Sequence, residues 1–377
     1  RISQYGQLIM GLGLIFFGMS LMSNGMRPLR SYEPFVVLMQ NVTNPVIGIL
    51  IATLFTALVQ SSSATMGVVI ALGSQGLISL EAGIALALGA NIGPDHDIPA
   101  PDLGSNPQAM VWMMDTYANS TGATERQNVK RIVTGKTLET GGSPGRDKAT
   151  GQGVMFCLQH WADETGFDLS SARAVIQGWG NVGGATGRIL QVHGARVVAA
   201  SDHLGAIADE DGIDAFDLTD WVGEHGTVSG FPNADWIEPA DLWGVDADMV
   251  IPAALENQIT ADNAGQIKAK VVVEAANGPT TLEAEAILAD RGIEVLPDIL
   301  VNAGGVIVSY FEWLQNRSAQ TWNLNDVDHK LRDILWKASD SICEIREELD
   351  IASRRDAAYA IALRRLKVVY EQRGIFP

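Results

Sequence analysis

The sequence predicts an α/β chain: a doubly wound nucleotide domain preceded by an all-α membrane-type helical segment. Three observations carry that expectation. A short apolar run, Ala174 to Ile176, meets a Gly-x-Gly-x-x-Gly turn at Gly178, Gly180 and Gly183 and then a helical pattern through Gln191. A second strand pattern, Arg196 to Ser201, ends at Asp202. Residues 1–94 contain only Arg1, Arg27, Arg30, Glu33 and Glu81 as charged residues, so this part is nearly neutral and the rest of a chain of net charge −18 is strongly acidic.

The first segment opens with an uncharged stretch from Ile2 to Met26, long enough to cross a hydrocarbon layer of about 30 Å. Its basic start is Arg1 alone and it has no cleavage-like end, so it is not shaped as a signal peptide. Arg27 and Arg30 favour a cytoplasmic position for the end that follows. From Pro34 to Leu80 the chain is again uncharged, but Asn41, Asn44, Pro45, Gly48 and Gln60 interrupt it. Those breaks predict discontinuous helices, with a re-entrant pair meeting at Gln60-Ser61-Ser62-Ser63. Irregular backbone at membrane depth is tolerated where it lines a site.

Gly11 to Met22, Ala57 to Thr65 and Leu88 to Gly93 resemble one repeat of the sodium/phosphate cotransporters. The resemblance implies membrane contact through residues 1–93. It places Gln60, Ser61, Ser62 and Ser63 at a sodium and phosphate site, with Thr65 adjacent and Asn91 nearby. The alternative is that these small hydroxyl residues let membrane helices pack closely. That family builds its site from two inverted repeats, and this chain shows one serine-rich tip.

In the nucleotide turn each glycine has a mechanical task. Gly178 permits the tight strand-to-helix turn, Gly180 lets backbone approach a pyrophosphate, and Gly183 lets the helix pack on the strand. Asn181 and Val182 complete the loop. The pyrophosphate then meets free N–H groups and the positive end of a helix dipole. The motif alone is weak in a chain with 39 glycines. Asp202, at the spacing expected of the acidic residue that holds the adenine ribose, strengthens it. A carboxylate there suits two ribose hydroxyls and repels a 2′-phosphate, which favours NAD, with NADP as the alternative.

The acidity excludes nucleic acid as a partner, because a phosphate backbone is bound through clusters of Lys and Arg. A salt-adapted surface fits better, since only eight of the 26 basic residues are lysine and salt screens a self-repelling surface. Cys157 and Cys343 match no metal-ligand spacing and suggest a reduced, cytoplasmic setting for the nucleotide domain. The six histidines form no recognisable metal cluster, and no metal is expected.

From Pro94 onward the segments Pro94 to Asp102, Asn106 to Tyr117, Val133 to Gly153, Asn277 to Thr281 and Pro297 to Gln315 together resemble the glutamate dehydrogenases. The resemblance implies oxidative deamination of glutamate to 2-oxoglutarate with a nicotinamide cofactor, and homo-oligomers, typically hexamers. Residue by residue it makes Asp102 the acid/base carboxylate and puts Arg146 and Thr150 near the nicotinamide end. It gives Asn277 the nicotinamide ribose and has Val306 and Ser309 line the substrate side-chain pocket. Structural alternatives are a strand-ending turn at Asn277, a self-bonded helical Ser309 and an Asp102 that caps the helix starting near Pro107.

What the family has and this chain lacks is a glycine-flanked lysine motif for the substrate carboxylates. No lysine precedes Lys130, so turnover is expected to be impaired or absent. The transporter-like pattern also runs into the dehydrogenase-like one at Pro94 without a polar linker, which predicts a chimera or spliced fragment. The expected organisation is a membrane-type segment at 1–93, a remnant of a substrate domain at 94–150, a Rossmann-like nucleotide domain at 151–345 and a C-terminal helical segment at 346–377. The last helical region, Asp326 to Gly374, is expected to pack across the cleft of a complete enzyme and here to expose an apolar face.

Overall fold

The computed structural model describes Asp95 and residues 97–102, 105–120 and 129–373, with isolated helical positions between Gly48 and Val69. The transporter-like tip at Gln60, Ser61, Ser62 and Ser63, with Asn91, lies outside the described residues, as does nearly all of the expected membrane-type segment. Among the described residues no helix is long and apolar enough to cross a membrane.

The chain forms two compact units, one of residues up to Gly142 with Glu312–Gln320, the other of Ser143–Phe311 with Thr321 onward. In the first unit, helix α1 (Pro107–Ser120) is followed by 3₁₀ turns at Val129–Arg131 and Leu138–Thr140. Its small core gathers Met110, Ile132 and Val133. Asn106 starts α1 by accepting the Ala109 N–H on its side chain at 2.9 Å. The cap is therefore Asn106, not Asp102.

The second unit is a seven-stranded sheet between helices. In chain order it runs α2 (Ala149–Thr165), β1 (Arg173–Gln177), α3 (Asn181–Val192), β2 (Arg196–Ser201), β3 (Ala206–Ile213), α4 (Ala215–His225) and β4 (Asp235–Ile237). There follow β5 (Met249–Pro252), β6 (Val271–Val273), α5 (Leu282–Asp290), β7 (Glu294–Leu296), α6 (Asp298–Val301), α7 (Gly304–Ser318, which from Glu312 onward belongs to the first unit), α8 (Leu324–Leu349) and α9 (Arg354–Arg373). Sheet order is β4-β3-β2-β1-β5-β6-β7.

The central strands are short runs of Val, Ile and Ala buried on both faces, as parallel strands require when helices cover both sides. Alternate residues divide between the two layers. Ala174 and Ile176 of β1 join the core built with α2, α3, α4 and α8, whereas Val175 joins that under Leu242, Ile259, Ile267 and α5. Burying a side chain the size of Val175 or Ile176 stabilises the fold by about 1.5–3 kcal/mol.

Two features depart from the sequence reading. The sheet is mixed: β3 pairs antiparallel with β2, and β4 antiparallel with β3. Only Asp202–Gly205 separate β2 from β3, too few residues for the crossover a parallel neighbour needs. The helical region expected from Asp326 divides into two helices, a break the sequence reading did not specify. Asp350 adopts a left-handed conformation at φ 53° and closes α8 through its N–H to the Arg346 carbonyl, a conformation Asp tolerates better than most residues. That break puts Arg354 and Arg355 at the start of α9. Along α9, Tyr359, Leu363, Leu366 and Tyr370 are each more than half exposed at helical spacing, an apolar stripe as the sequence expects.

Candidate functional site

At the end of β1, Gly178 has φ +94°, a conformation that L side chains rarely adopt, and its N–H donates to the Ser201 carbonyl at 2.8 Å. A Cβ on Gly183 would lie 1.8 Å from the Gly178 carbonyl oxygen and 3.2 Å from Ile176. So the first turn of α3 sits directly on the strand end. At Gly180 a Cβ would meet nothing within 4 Å, and no side chain caps α3 there. The first N–H groups of α3, on exposed Asn181, half-buried Val182 and buried Gly183, therefore front open space at the positive end of the helix. This is the cradle a dinucleotide pyrophosphate needs, and the residues fit that group.

Asp202 follows β2 as expected, and its carboxylate is already engaged. One oxygen accepts the N–H groups of Leu204 at 2.8 Å and Gly205 at 3.2 Å. The other accepts that of Val228 at 2.7 Å. Asp202 thus fixes the β2–β3 turn and the Val228 loop. Of about four acceptor positions on a carboxylate, one is left for a ribose hydroxyl.

Across the sheet, Asn277 follows β6 in an exposed turn. Its side-chain oxygen accepts from the Asn302 amide at 2.6 Å, and the next N–H, on Gly278, donates to Asp298 at 2.8 Å. This turn is braced from the start of α6 rather than being a bare strand end.

Arg146, Thr150 and Ser309 come together. The Arg146 Nε donates to the buried Ser309 hydroxyl oxygen at 2.8 Å. A Cβ on Gly305 would stand 2.6 Å from the Thr150 hydroxyl oxygen, so glycine there lets the start of α7 approach α2. Because Ser309 accepts from Arg146, its own hydrogen stays available to donate. Val306, one turn earlier on α7, is 69 % exposed.

In the first unit Asp102 is exposed, and its backbone makes reciprocal bonds with the Ser105 hydroxyl at 2.7 and 2.9 Å. The segment before it is pinned, since the Thr134 N–H donates to the Pro99 carbonyl at 2.9 Å. Next to that bond lies an ion pair not foreseen from the sequence. Lys136 and Glu312, both fully buried, meet at 2.5 Å. Glu312 also accepts the Gly135 N–H at 2.9 Å, and Lys136 Nζ donates to the Val133 carbonyl at 2.7 Å. Burial pulls the Lys136 ammonium below its ordinary value, and Glu312 works against that shift. One signal was available: Glu312 lies on the buried side of α7, four residues after Val308, where helical periodicity calls for an apolar residue.

Both cysteines are free thiols. Burial pushes the Cys157 thiol up to about 12, which leaves it unreactive as a nucleophile.

Comparison with known proteins places these features. Residues 141–374 match the Glutamate/Leucine/Phenylalanine/Valine dehydrogenase family, and residues 72–119 match the dimerisation domain of the same family. Residues 14–95 match the Na+/Pi-cotransporter family, so two matches overlap upstream of the junction expected at Pro94. Glutamate dehydrogenase of Thermotoga maritima is 45 % identical over 287 residues, which is 76 % of this chain and 68 % of that protein. Glutamate dehydrogenase A2 of Halobacterium salinarum gives the same identity and coverage. Among solved structures, hetero-hexameric glutamate dehydrogenase from Thermus thermophilus in its Leu-bound form superposes with a TM-score of 0.72 at 34 % identity, covering 83 % of this chain and 70 % of that one.

Proposed function

The chain belongs to the glutamate, leucine, phenylalanine and valine dehydrogenase family, and on that premise we propose how this glutamate dehydrogenase-like oxidoreductase assigns its residues. The uncapped start of α3 at Gly180, Asn181, Val182 and Gly183 holds the pyrophosphate of a nicotinamide dinucleotide. Asp202 takes a ribose hydroxyl on its remaining acceptor position, which favours NAD over NADP. Asn277 contacts the nicotinamide ribose, and Arg146 and Thr150 flank the nicotinamide end. When bound, the cofactor accepts the hydride from the substrate's alpha carbon.

The protein's own chemistry is proton handling and orientation. Asp102 takes a proton from the substrate amine as the imine forms and returns one during hydrolysis. Ser309, oriented by Arg146, donates to the distal carboxylate of glutamate, and Val306 borders the side chain. Within residues 1–377 no lysine precedes Lys130, so these residues by themselves supply no counterpart of the glycine-flanked lysine motif the resemblance implies, and weak turnover is what we expect of them; each 1.36 kcal/mol of lost transition-state stabilisation is worth about tenfold in rate. The observation that carries the reading is the Gly178–Gly183 turn with its open cradle.

The test is nucleotide titration alongside glutamate-dependent reduction of NAD and, separately, NADP, in concentrated potassium chloride with Asp102→Asn as control. The expected outcome is binding, tighter for NAD, with weak turnover that falls by roughly 10²- to 10⁴-fold in the variant while binding is unchanged. A chain that binds neither nucleotide would refute it.

The dimerisation-domain match and the hexameric neighbour support a homo-oligomer, checked by sedimentation. The cotransporter match over residues 14–95 favours a second reading for that segment alone: membrane contact through residues 1–93, joined chimera-like to the dehydrogenase part. Flotation with lipid vesicles tests the contact; a chain that stays at the bottom of the gradient rejects it.

A further inference from the structure

We propose that Arg355, in the first turn of the C-terminal helix α9, is a positioning residue that holds the Asn277–Gly278 turn in shape for nucleotide; this rests on the reading of Asn277 as a nucleotide contact. Its three guanidinium nitrogens each reach a different carboxylate. Nη2 meets Glu274 at 2.6 Å, Nη1 meets Asp298 at 2.8 Å and Nε meets Glu285 at 2.8 Å. Glu274 is fully buried just after β6, three residues before Asn277.

From these carboxylates the connection to the turn is direct. The Glu274 oxygen that meets Arg355 also accepts the Asp298 N–H at 2.8 Å. The second Asp298 oxygen accepts the Gly278 N–H at 2.8 Å. Asp298 also starts α6, whose C-cap residue Asn302 donates to the Asn277 side chain at 2.6 Å. Arg355 therefore stands one carboxylate away from the backbone of the turn. Among the described residues Arg355 is the cation bonded to Glu274 and Asp298; without it the two carboxylates face each other uncompensated, and mutual repulsion pushes Asp298 off Gly278.

Helix stability alone gives no reason for an arginine here. A cation in a first turn opposes the helix dipole, and the planar fork of arginine is what lets one side chain serve three carboxylates, which a lysine cannot do. The neighbouring Arg354 supplies the contrast. It ties the same helix to Glu164 at 2.7 Å and Glu294 at 2.7 Å, on groups that have no bond to the turn.

The test uses the full chain with Arg355→Met, Arg355→Lys and Arg354→Met. In nucleotide-free protein, hydrogen exchange at the Gly278 amide should quicken about tenfold in both Arg355 variants and stay at the wild-type rate in Arg354→Met. NAD affinity should fall about tenfold in the Arg355 variants alone, whereas melting temperature should fall in all three. Equal effects of Arg354 and Arg355 variants, or rescue by lysine, would reduce Arg355 to a helix anchor and overturn the proposal. If an Arg355 variant does not fold, Asp298→Ala supplies the same comparison at Gly278. Faster Gly278 exchange with no NAD binding by the wild type would instead reject Asn277 as a nucleotide contact.

Discussion

At Gly183 a single methyl group decides whether the nucleotide turn closes. The added Cβ of Gly183→Ala would fall on the Gly178 oxygen at 1.8 Å, and that atom is backbone that cannot swing aside. We expect a loss of at least about 1–3 kcal/mol of stability and a flat nucleotide titration, read by thermal melting and fluorescence; unchanged affinity would remove the close-packing role. The motif spacing made Gly178, Gly180 and Gly183 legible because each demand is local. Lys136 and Glu312 were not legible as a pair, since the partners lie 176 residues apart; helical periodicity marks Glu312 as a buried acid but says nothing of what meets it. Removing one side of that pair strands a buried charge.

Among the elements, α4 shows how a cap sets acid sensitivity. Asp214 accepts the N–H groups of Phe216 and Asp217 at 2.9 and 3.0 Å, and the Gln191 amide at 2.9 Å. The Asp217 N–H, then the Gln191 and Phe216 donors, hold its carboxyl below the ordinary range despite some burial. A depressed folded value means that the stabilisation is present above the unfolded pKa, near 3.9, and is lost as pH falls through the folded value. Asp214→Ala should cost about 1 kcal/mol at neutral pH and flatten the melting temperature's fall between neutral and strongly acidic buffer. A variant as acid-sensitive as the wild type would assign that fall elsewhere. Strands β1, β2 and β6 were legible as continuous apolar runs. β3 was not, because Asp209, Glu210 and Asp211 interrupt its pattern; they lie on an antiparallel strand with a solvated face, where charge is tolerated.

For the whole molecule, 44 acidic residues oppose 26 basic ones. Repulsion among exposed carboxylates acts over about 10 Å at 0.1 M salt and about 3 Å at 1 M. The melting temperature should therefore rise from dilute buffer to concentrated potassium chloride, and a fall would count against the salt-adapted reading. The exposed stripe of Tyr359, Leu363, Leu366 and Tyr370 on α9 bears on the same experiment, because high salt strengthens apolar association as well as screening charge. Light scattering measured with the melt separates the two. Composition made this balance legible at once, whereas the mixed sheet order depended on a short turn whose consequence appears only in three dimensions.

The place of β1 also bears on how the chain is made. Its neighbour β2 follows after the single helix α3, but its other parallel neighbour, β5, pairs Ala174 with Met249. During synthesis β1 therefore waits with one hydrogen-bonding edge open while roughly seventy residues leave the ribosome, an exposure that slows productive pairing and invites other chains. The nucleotide turn lies at the end of that same strand, so a nascent chain can shape its glycine loop before it owns a finished sheet to support it.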